Sequence, residues 1–504
     1  MKLGSLNCAP SFTVRRQNGQ IEATGDGSVF LGYTAQDQDG VWTKWRWDGA
    51  NFELSTDRFG IYPTYYFKDA HSLSVSTSVI DLLKSGASPE LDDAAIAVFL
   101  RLGFFLGEDT PFRHIRALPP GCTMRESAQT WRIASSAIPS GVDGHPPTRA
   151  AALQEFGVRF QAAVDELASS ARPSRLCLPL SGGRDSRHIL FALAQGGHLP
   201  ACCATLKHFP PKPDEDARIA AEVAAAVGVS HFVIEPSRQP IKAELRKNEL
   251  TSFCSDEHGW TLELSKFVRA GGYNLIYDGI AGDVLSAGLF LTAQNLDLYR
   301  RGKLAELAEM MLGGEKYLAS MLHPDSHYRW RRELAKERLV TELARYASSP
   351  NPIGQFYFFN RTRREIALMF FSILGRDAQV LAPFLAASVF DLLASLPAEY
   401  FLDHSFHTEA ISLRYPKYAH LPYEAKDAVA TRQHWLDLAN WTTQVARYCV
   451  LGAKGSYVRS GFTFPRLLKG LIDANYGAQQ LNLWTIPLYL EQLARLQHRF
   501  SDAK

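Results

Sequence analysis

The chain has 504 residues, too many for one hydrophobic core and enough for two domains. Apolar residues make up 46% and charged residues 21%, which excludes a disordered or fibrous chain and suits a globular enzyme. Net charge is only +2, so no global basic field argues for nucleic acid.

The first twenty residues lack the apolar stretch of a signal peptide, and the longest strongly apolar run, Ile366 to Leu374, is far too short to span a bilayer. Seven cysteines without a Cys-x-x-Cys pair predict reduced, mostly buried thiols and a cytoplasmic protein. Between residues 21 and 80, short alternating segments such as Val41–Gly49 and Leu73–Ile80 predict antiparallel β structure. A helix follows, with Asp92 or Asp93 at its N-terminus, where a carboxylate suits the helix dipole. Ser135–Arg149 is rich in Ser, Pro and Gly and reads as a linker. The predicted organisation is therefore a β domain over 1–134, a linker over 135–149 and a second domain over 150–504. A helical stretch from Ala150 leads to an apolar run before Ser181. "ACCATL" is a second strand, "DEDARIAAEVAAAVG" a helix and "HFVI" a third strand. This alternation predicts a doubly wound α/β parallel sheet, followed by a largely helical C-terminal part.

In such a sheet, ligands bind at the carboxyl ends of the strands. There the chain reads "LSGGRDS". Glycines allow the backbone to approach a phosphate, and the N–H groups of the next helix point at it. Ser181, Gly182, Gly183 and Ser186 fit that task. Asp185 would repel a bare phosphate and makes sense as a ligand for phosphate-bound Mg²⁺. The loop has neither a Walker ending nor dinucleotide-type glycine spacing.

"LSGGRDS" resembles the pyrophosphate loop of the N-type ATP pyrophosphatases, which cut ATP between its α and β phosphates. Further stretches narrow the resemblance. "STDRFGIYPTYYF" (Ser55–Phe67) and "GEDTPFRHIRALPPG" (Gly107–Gly121) are similar to segments of the glutaminase domain of asparagine synthetases. "LIYDGIAGDVLSAG" (Leu275–Gly288) resembles that family's second loop, and "APFLAASVFDLLASLP" (Ala382–Pro397) its Pro-Phe-Leu-Asp helix. The chain is thus identified as a member of the asparagine synthetase superfamily, which also holds β-lactam synthetases, carbapenam synthetases and lasso-peptide cyclases. The resemblance implies a glutaminase-like (Ntn-type) α+β domain ahead of the ATP-pyrophosphatase domain. It implies ATP bound by Leu180, Ser181, Gly182, Gly183, Asp185, Ser186, Thr205, Leu206, Gly279 and Ile280, and Mg²⁺ held by Asp185 and Asp283.

Three departures from the family matter. Glutamine-using relatives carry a cysteine directly after the initiator Met; here position 2 is Lys, and the nearest thiol is Cys8. Relatives read Gly-Glu-Gly-x-Asp or Gly-Tyr-Gly-x-Asp in the second loop; here Ile280 occupies the Glu/Tyr position and can neither bind nor accept a proton. The Glu four residues before Pro-Phe is Gln379. The family also places a catalytic Lys in a C-terminal loop, for which Lys426 is the first choice and Lys417 the second.

The expected activity is AMP-forming carbon–nitrogen ligation. A carboxylate of a small molecule or peptide is adenylated and joined to an amine, without glutamine. The expected partners are these substrates, a homodimer mate or a pathway protein, and neither nucleic acid nor membrane. Two alternatives stand beside it: an asparagine synthetase in the narrow sense, using ammonia or glutamine, and a non-catalytic descendant that binds nucleotide.

Overall fold

The computed structural model describes residues 9–17, 20–36, 39–127, 130–135, 146–170, 175–207, 215–256, 259–315, 317–424, 435–452, 457–473, 476 and 484–501. Its first strands are β1 (Ser11–Gln17), β2 (Gln20–Gly25), β3 (Ser28–Thr34), β4 (Gly40–Trp47), β5 (Phe52–Thr56), β6 (Tyr65–Lys68), β7 (Ser72–Ser76), β8 (Ile115–Ala117), β9 (Thr123–Ser127) and β10 (Thr130–Ala134). They form two antiparallel sheets, ordered β2-β1-β7-β6-β8 and β10-β9-β5-β4-β3. The cause is visible in the period of two. Phe12 and Val14, Phe52 and Leu54, and Leu73 and Val75 are each buried on one side of their strand. With Trp45 and Met124 they make one core. Each such side chain contributes about 2 kcal/mol by leaving water.

Asp92 caps the helix Asp93–Leu102, its side chain accepting from the Ala95 N–H at 3.1 Å. A long helix, Arg149–Ser170, opens the second domain. Then come β11 (Leu176–Pro179), β12 (Cys202–Leu206), β13 (His231–Ile234), β14 (Leu275–Tyr277) and β15 (Gln379–Leu381), all parallel, in the order β13-β12-β11-β14-β15. The order reverses between β11 and β14. That is the point where a doubly wound sheet opens a crevice at its carboxyl edge. Among the described residues, no helix is long and apolar enough to cross a membrane.

Two features depart from the sequence reading. The stretch Ala382–Pro397 is not one helix: it is a 3₁₀ turn, Pro383–Leu385, then extended backbone at Ala386 (φ −59°, ψ 133°), then the helix Ala387–Ser395. Pro383 has no N–H to extend a helix backwards, so the preceding residues are free to join the sheet as β15. Also, Phe358–Ile366 and Met369–Ile373 are π-helices, which a 3.6-residue period does not anticipate.

The "DRFG" segment joins the two domains. Asp57 is buried, and its carboxylate accepts from the backbone N–H groups of Trp42, Phe59, Ile61 and Tyr62 at 2.9–3.3 Å. Arg58 makes a bidentate contact with Asp391 (2.5 and 3.0 Å). Phe59 packs against Phe358 edge to face and against Phe390 at a tilt, with ring centroids 5.4 and 4.5 Å away. Gly60 has φ +61°, and a Cβ there would press on Pro119 and Pro120 backbone atoms. Buried Arg363 reaches back to the carbonyls of Gly60, Gly107 and Leu118.

Candidate active site

The loop after β11 holds itself together through its own hydroxyls. Ser186 Oγ accepts from Ser181 N (3.0 Å), and Ser181 Oγ accepts from Gly183 N (3.2 Å). Asp216, from the helix Glu215–Val227, accepts from Gly182 N at 2.6 Å. The helix Asp185–Gln195 starts at this loop, and no side chain caps its N-terminus. Its first amides are therefore not taken by a capping group. Thr205 donates to the Leu180 carbonyl (2.5 Å), tying β12 to the loop, and so accepts from His231 Nε2 (2.7 Å).

The loop after β14 closes on the first one. A Cβ on Gly279 would lie 2.5 Å from Asp185 Cβ, and one on Gly282 would lie 2.6 Å from Asp185 Oδ1. Both glycines are thus required by the contact with Asp185. Asp283 is pushed up to about 6, first by burial and then by the charge of Asp185, with Arg361 opposing. Asp278 is pushed up to about 8 by burial, with Asp185 and Asp283 adding to the effect and the Ile280 N–H opposing it. The negative charges of Asp185 and Asp283 thus oppose each other at the switch point, and both oppose ionisation of Asp278. Ala281 has φ +76°, a left-handed conformation that costs a non-glycine residue about 1 kcal/mol.

Beneath Asp185 lies a buried pair of histidines. His407 Nδ1 is 3.2 Å from Asp185 Oδ1 and 3.0 Å from Ser286 Oγ. Ser286 spends its proton on the Gly282 carbonyl (2.6 Å), so it must accept from His407 Nδ1–H. In the neutral pair, His407 Nε2 then accepts from His188 Nδ1–H at 3.0 Å. Burial, and next the neighbouring His407, holds His188 well below the usual imidazole range. His407 thereby links both loops.

A cavity of about 960 Å³ opens over this arrangement. Leu180, Ser181, Gly183, Asp185, Ser186, Thr205, Leu206, Gly279, Ile280 and Asp283 line it. Gly182 does not; its Cα faces Glu424 and Ile219 instead. Gln379 opens β15 with an exposed side and is not part of the wall. Lys417 is exposed, 5.2 Å over the Tyr418 ring, and also lies off the wall. Lys426 and Cys8 fall outside the described residues, although Glu424 lines the cavity. Sequence reading missed Asp216, Asp278, Arg361, His407 and Glu424. Asp278 stands beside a motif already singled out and was the most accessible of these. Arg361, on the first π-helix, reaches the site only through the fold; its guanidinium is 3.5 Å from Glu365 and 5.3 Å from the Phe290 ring.

The segment after residue 420 is clasped to the first loop. Buried Arg187 donates to the carbonyls of Leu421 (3.2 Å), Pro422 (2.5 Å) and Gly182 (3.3 Å) and lies 3.9 Å over the Tyr423 ring. The Glu424 N–H donates to the same Gly182 carbonyl at 3.3 Å.

Comparison with known families agrees with this geometry. A glutamine amidotransferase domain model matches residues 32–135, which hold β4 to β10 of the two antiparallel sheets. An asparagine synthase model matches residues 155–424, more than half of the chain, including both loops and the clasped segment. No curated protein matches the chain. With its two antiparallel sheets, its parallel sheet and its paired loops at the switch point, the chain belongs to the asparagine synthase family, whose members are ATP-dependent amide-forming ligases.

Proposed function

We propose that the chain adenylates a carboxylate and then joins it to an amine. The carboxylate oxygen attacks the α-phosphorus of ATP, the α–β anhydride bond breaks and pyrophosphate leaves. The amine then attacks the acyl carbon, and AMP leaves with the electron pair of the acyl–oxygen bond. The observation that carries this reading is the contact of Asp185 with Gly279 and Gly282, which turns Asp185 and Asp283 toward one cavity. Leu180, Thr205 and Leu206 offer an apolar rim beside the loop for the base, and the amides at the start of the Asp185–Gln195 helix offer donors to phosphate.

Mg²⁺ suits this donor set. Asp185 and Asp283 repel each other, and a cation relieves that repulsion. Mg²⁺ commonly takes one or two carboxylates and fills its shell with phosphate and water, and Asp185 and Asp283 would supply those two. Bound there, Mg²⁺ would offset charge on the leaving pyrophosphate.

The reaction is proposed to run without glutamine. Among the described residues the glutaminase-like domain has one thiol, Cys122, which is buried and pushed up to about 12 by burial. That domain then serves as a structural partner through Asp57, Arg58 and Gly60. Asparagine synthesis in the narrow sense is the second reading, favoured by the two family matches. A pyrophosphate-release assay over candidate carboxylates, with ammonia, glutamine or an amine, tests the proposal. Release that depends on an acid other than aspartate supports it. Release with aspartate and glutamine supports the second reading. Nucleotide binding without release under every condition means a non-catalytic descendant.

A further inference from the structure

Only part of the cavity wall belongs to the two loops. An apolar part of it comes from Ile241 on the helix Pro240–Leu250, Trp260 and Leu264 at the helix Thr261–Ala270, Phe370 on the second π-helix, and Trp441 and Leu488 on the C-terminal helices Trp435–Gly452 and Thr485–Ser501. Ile241, Trp441 and Leu488 are also the edge of a separate small core, which makes this wall rigid. Trp260 is 42% exposed, a large apolar surface beside the cavity rather than inside a core.

Among the described residues of this wall the carboxylate is Glu244, and its charge is already matched: it sits 2.7 Å from Lys247, which is 0% exposed and also donates to the Ser255 and Asp256 carbonyls at 2.8 and 3.0 Å. The pair is neutral as a unit and anchored from below. The wall cations Arg361, Lys207 and Arg184 belong to other parts of the cavity: the π-helix turn facing Asp283, the end of β12 and the first loop. A free amino-dicarboxylic acid needs charged partners for its second carboxylate and its ammonium, and burying them without partners costs several kcal/mol. An apolar group meets no such cost here. The cavity, about 960 Å³, stands at the upper end of the range for drug-sized ligands.

We propose that this wall receives an apolar group of aromatic size on the acyl substrate, and that it excludes free aspartate. The inference rests on the adenylating reading of the same cavity and adds to it the chemical class of the acid. Isothermal titration of the full chain with N-acetyl-L-phenylalaninamide, with and without saturating AMP-PNP and Mg²⁺, tests it. The probe is expected to bind in both states, and L-aspartate at the same concentration is not expected to displace it. Trp260→Ala and Phe370→Ala each remove one aromatic face and are expected to weaken the probe at least about fivefold, while AMP-PNP affinity changes by less than about twofold. Displacement of the probe by AMP-PNP would mean that the wall seats adenine, and would overturn the inference. Displacement by aspartate, or wild-type affinity in both variants, would overturn it too. If AMP-PNP fails to bind while the probe behaves as expected, the adenylating reading falls and the apolar site stands.

Discussion

Asp57 and Asp283 look alike by the simplest measure. Asp57 is buried and Asp283 half-buried, and loss of hydration pushes each up to about 6. Their surroundings differ in kind. Asp57 is ringed by four backbone N–H donors, does not line the cavity described above, and its carboxylate closes the turn that joins the two domains. Asp283 faces a cavity in the company of Asp185 and Asp278. A perturbed carboxyl group is therefore weak as a functional sign by itself. Repulsion among carboxylates left standing at a cavity is the stronger one, because folding alone gives no reason to keep it.

The sharpest way to break this comparison is to neutralise both kinds of residue. Asp185→Asn and Asp283→Asn are each expected to lower pyrophosphate release at least about a hundredfold, the scale of losing a preorganised charge contact. Thermal melting of either variant should equal or exceed that of the wild type, since a repulsion is removed. Turnover near wild type in either one would strike that residue from the site.

Asp57→Asn should do the reverse. An amide in place of the carboxylate turns an NH₂ toward two N–H donors, so the variant should lose about 2 kcal/mol in urea denaturation and keep its turnover per folded molecule. The pH dependence carries a further signature. Folded Asp57 keeps its proton up to about pH 6, whereas the unfolded carboxyl releases it near 3.8. Between these values the folded state binds more protons, so this group's contribution to stability declines as pH rises through that window and is level above it. Subtracting the Asp57→Asn profile from the wild type should isolate this slope. A slope of opposite sign would mean that the backbone donors outweigh burial.

His407→Gln addresses the coupling of the two loops. It is expected to lower turnover about tenfold and to raise the half-saturating Mg²⁺ concentration by a similar factor, as changes behind a ligating carboxylate do. Unchanged Mg²⁺ dependence would leave His407 a mere core residue. The smallest effect belongs to Ala281→Gly, which relieves a left-handed alanine and should raise stability by at most about 1 kcal/mol.

Much of this was legible in the chain itself, for identifiable reasons. The antiparallel sheets show through because their cores repeat every second residue, and the first loop because glycines and hydroxyls crowd around one Asp. β15 was hidden: three residues ahead of Pro383 share one apolar run with the helix that follows. The π-helices were hidden because their register suits no simple period. The residues missed at the site lie far along the chain from what they touch. Asp216 is 34 residues from Gly182, and Ser286 is 121 from His407. No local pattern can carry such pairings; they exist only once the strand order brings β11 and β14 together.

The Arg187 clasp has a consequence for the order of events. The carbonyl of Gly182 is held by the same guanidinium that holds Leu421 and Pro422. A ligand that moves the first loop therefore changes the free energy of docking the Leu421–Glu424 segment. Thermodynamic reciprocity makes the converse obligatory: whatever presses that segment down alters nucleotide affinity by the same factor. A ligand of the first loop and any ligand that engages the Leu421–Glu424 segment thus bind as coupled events.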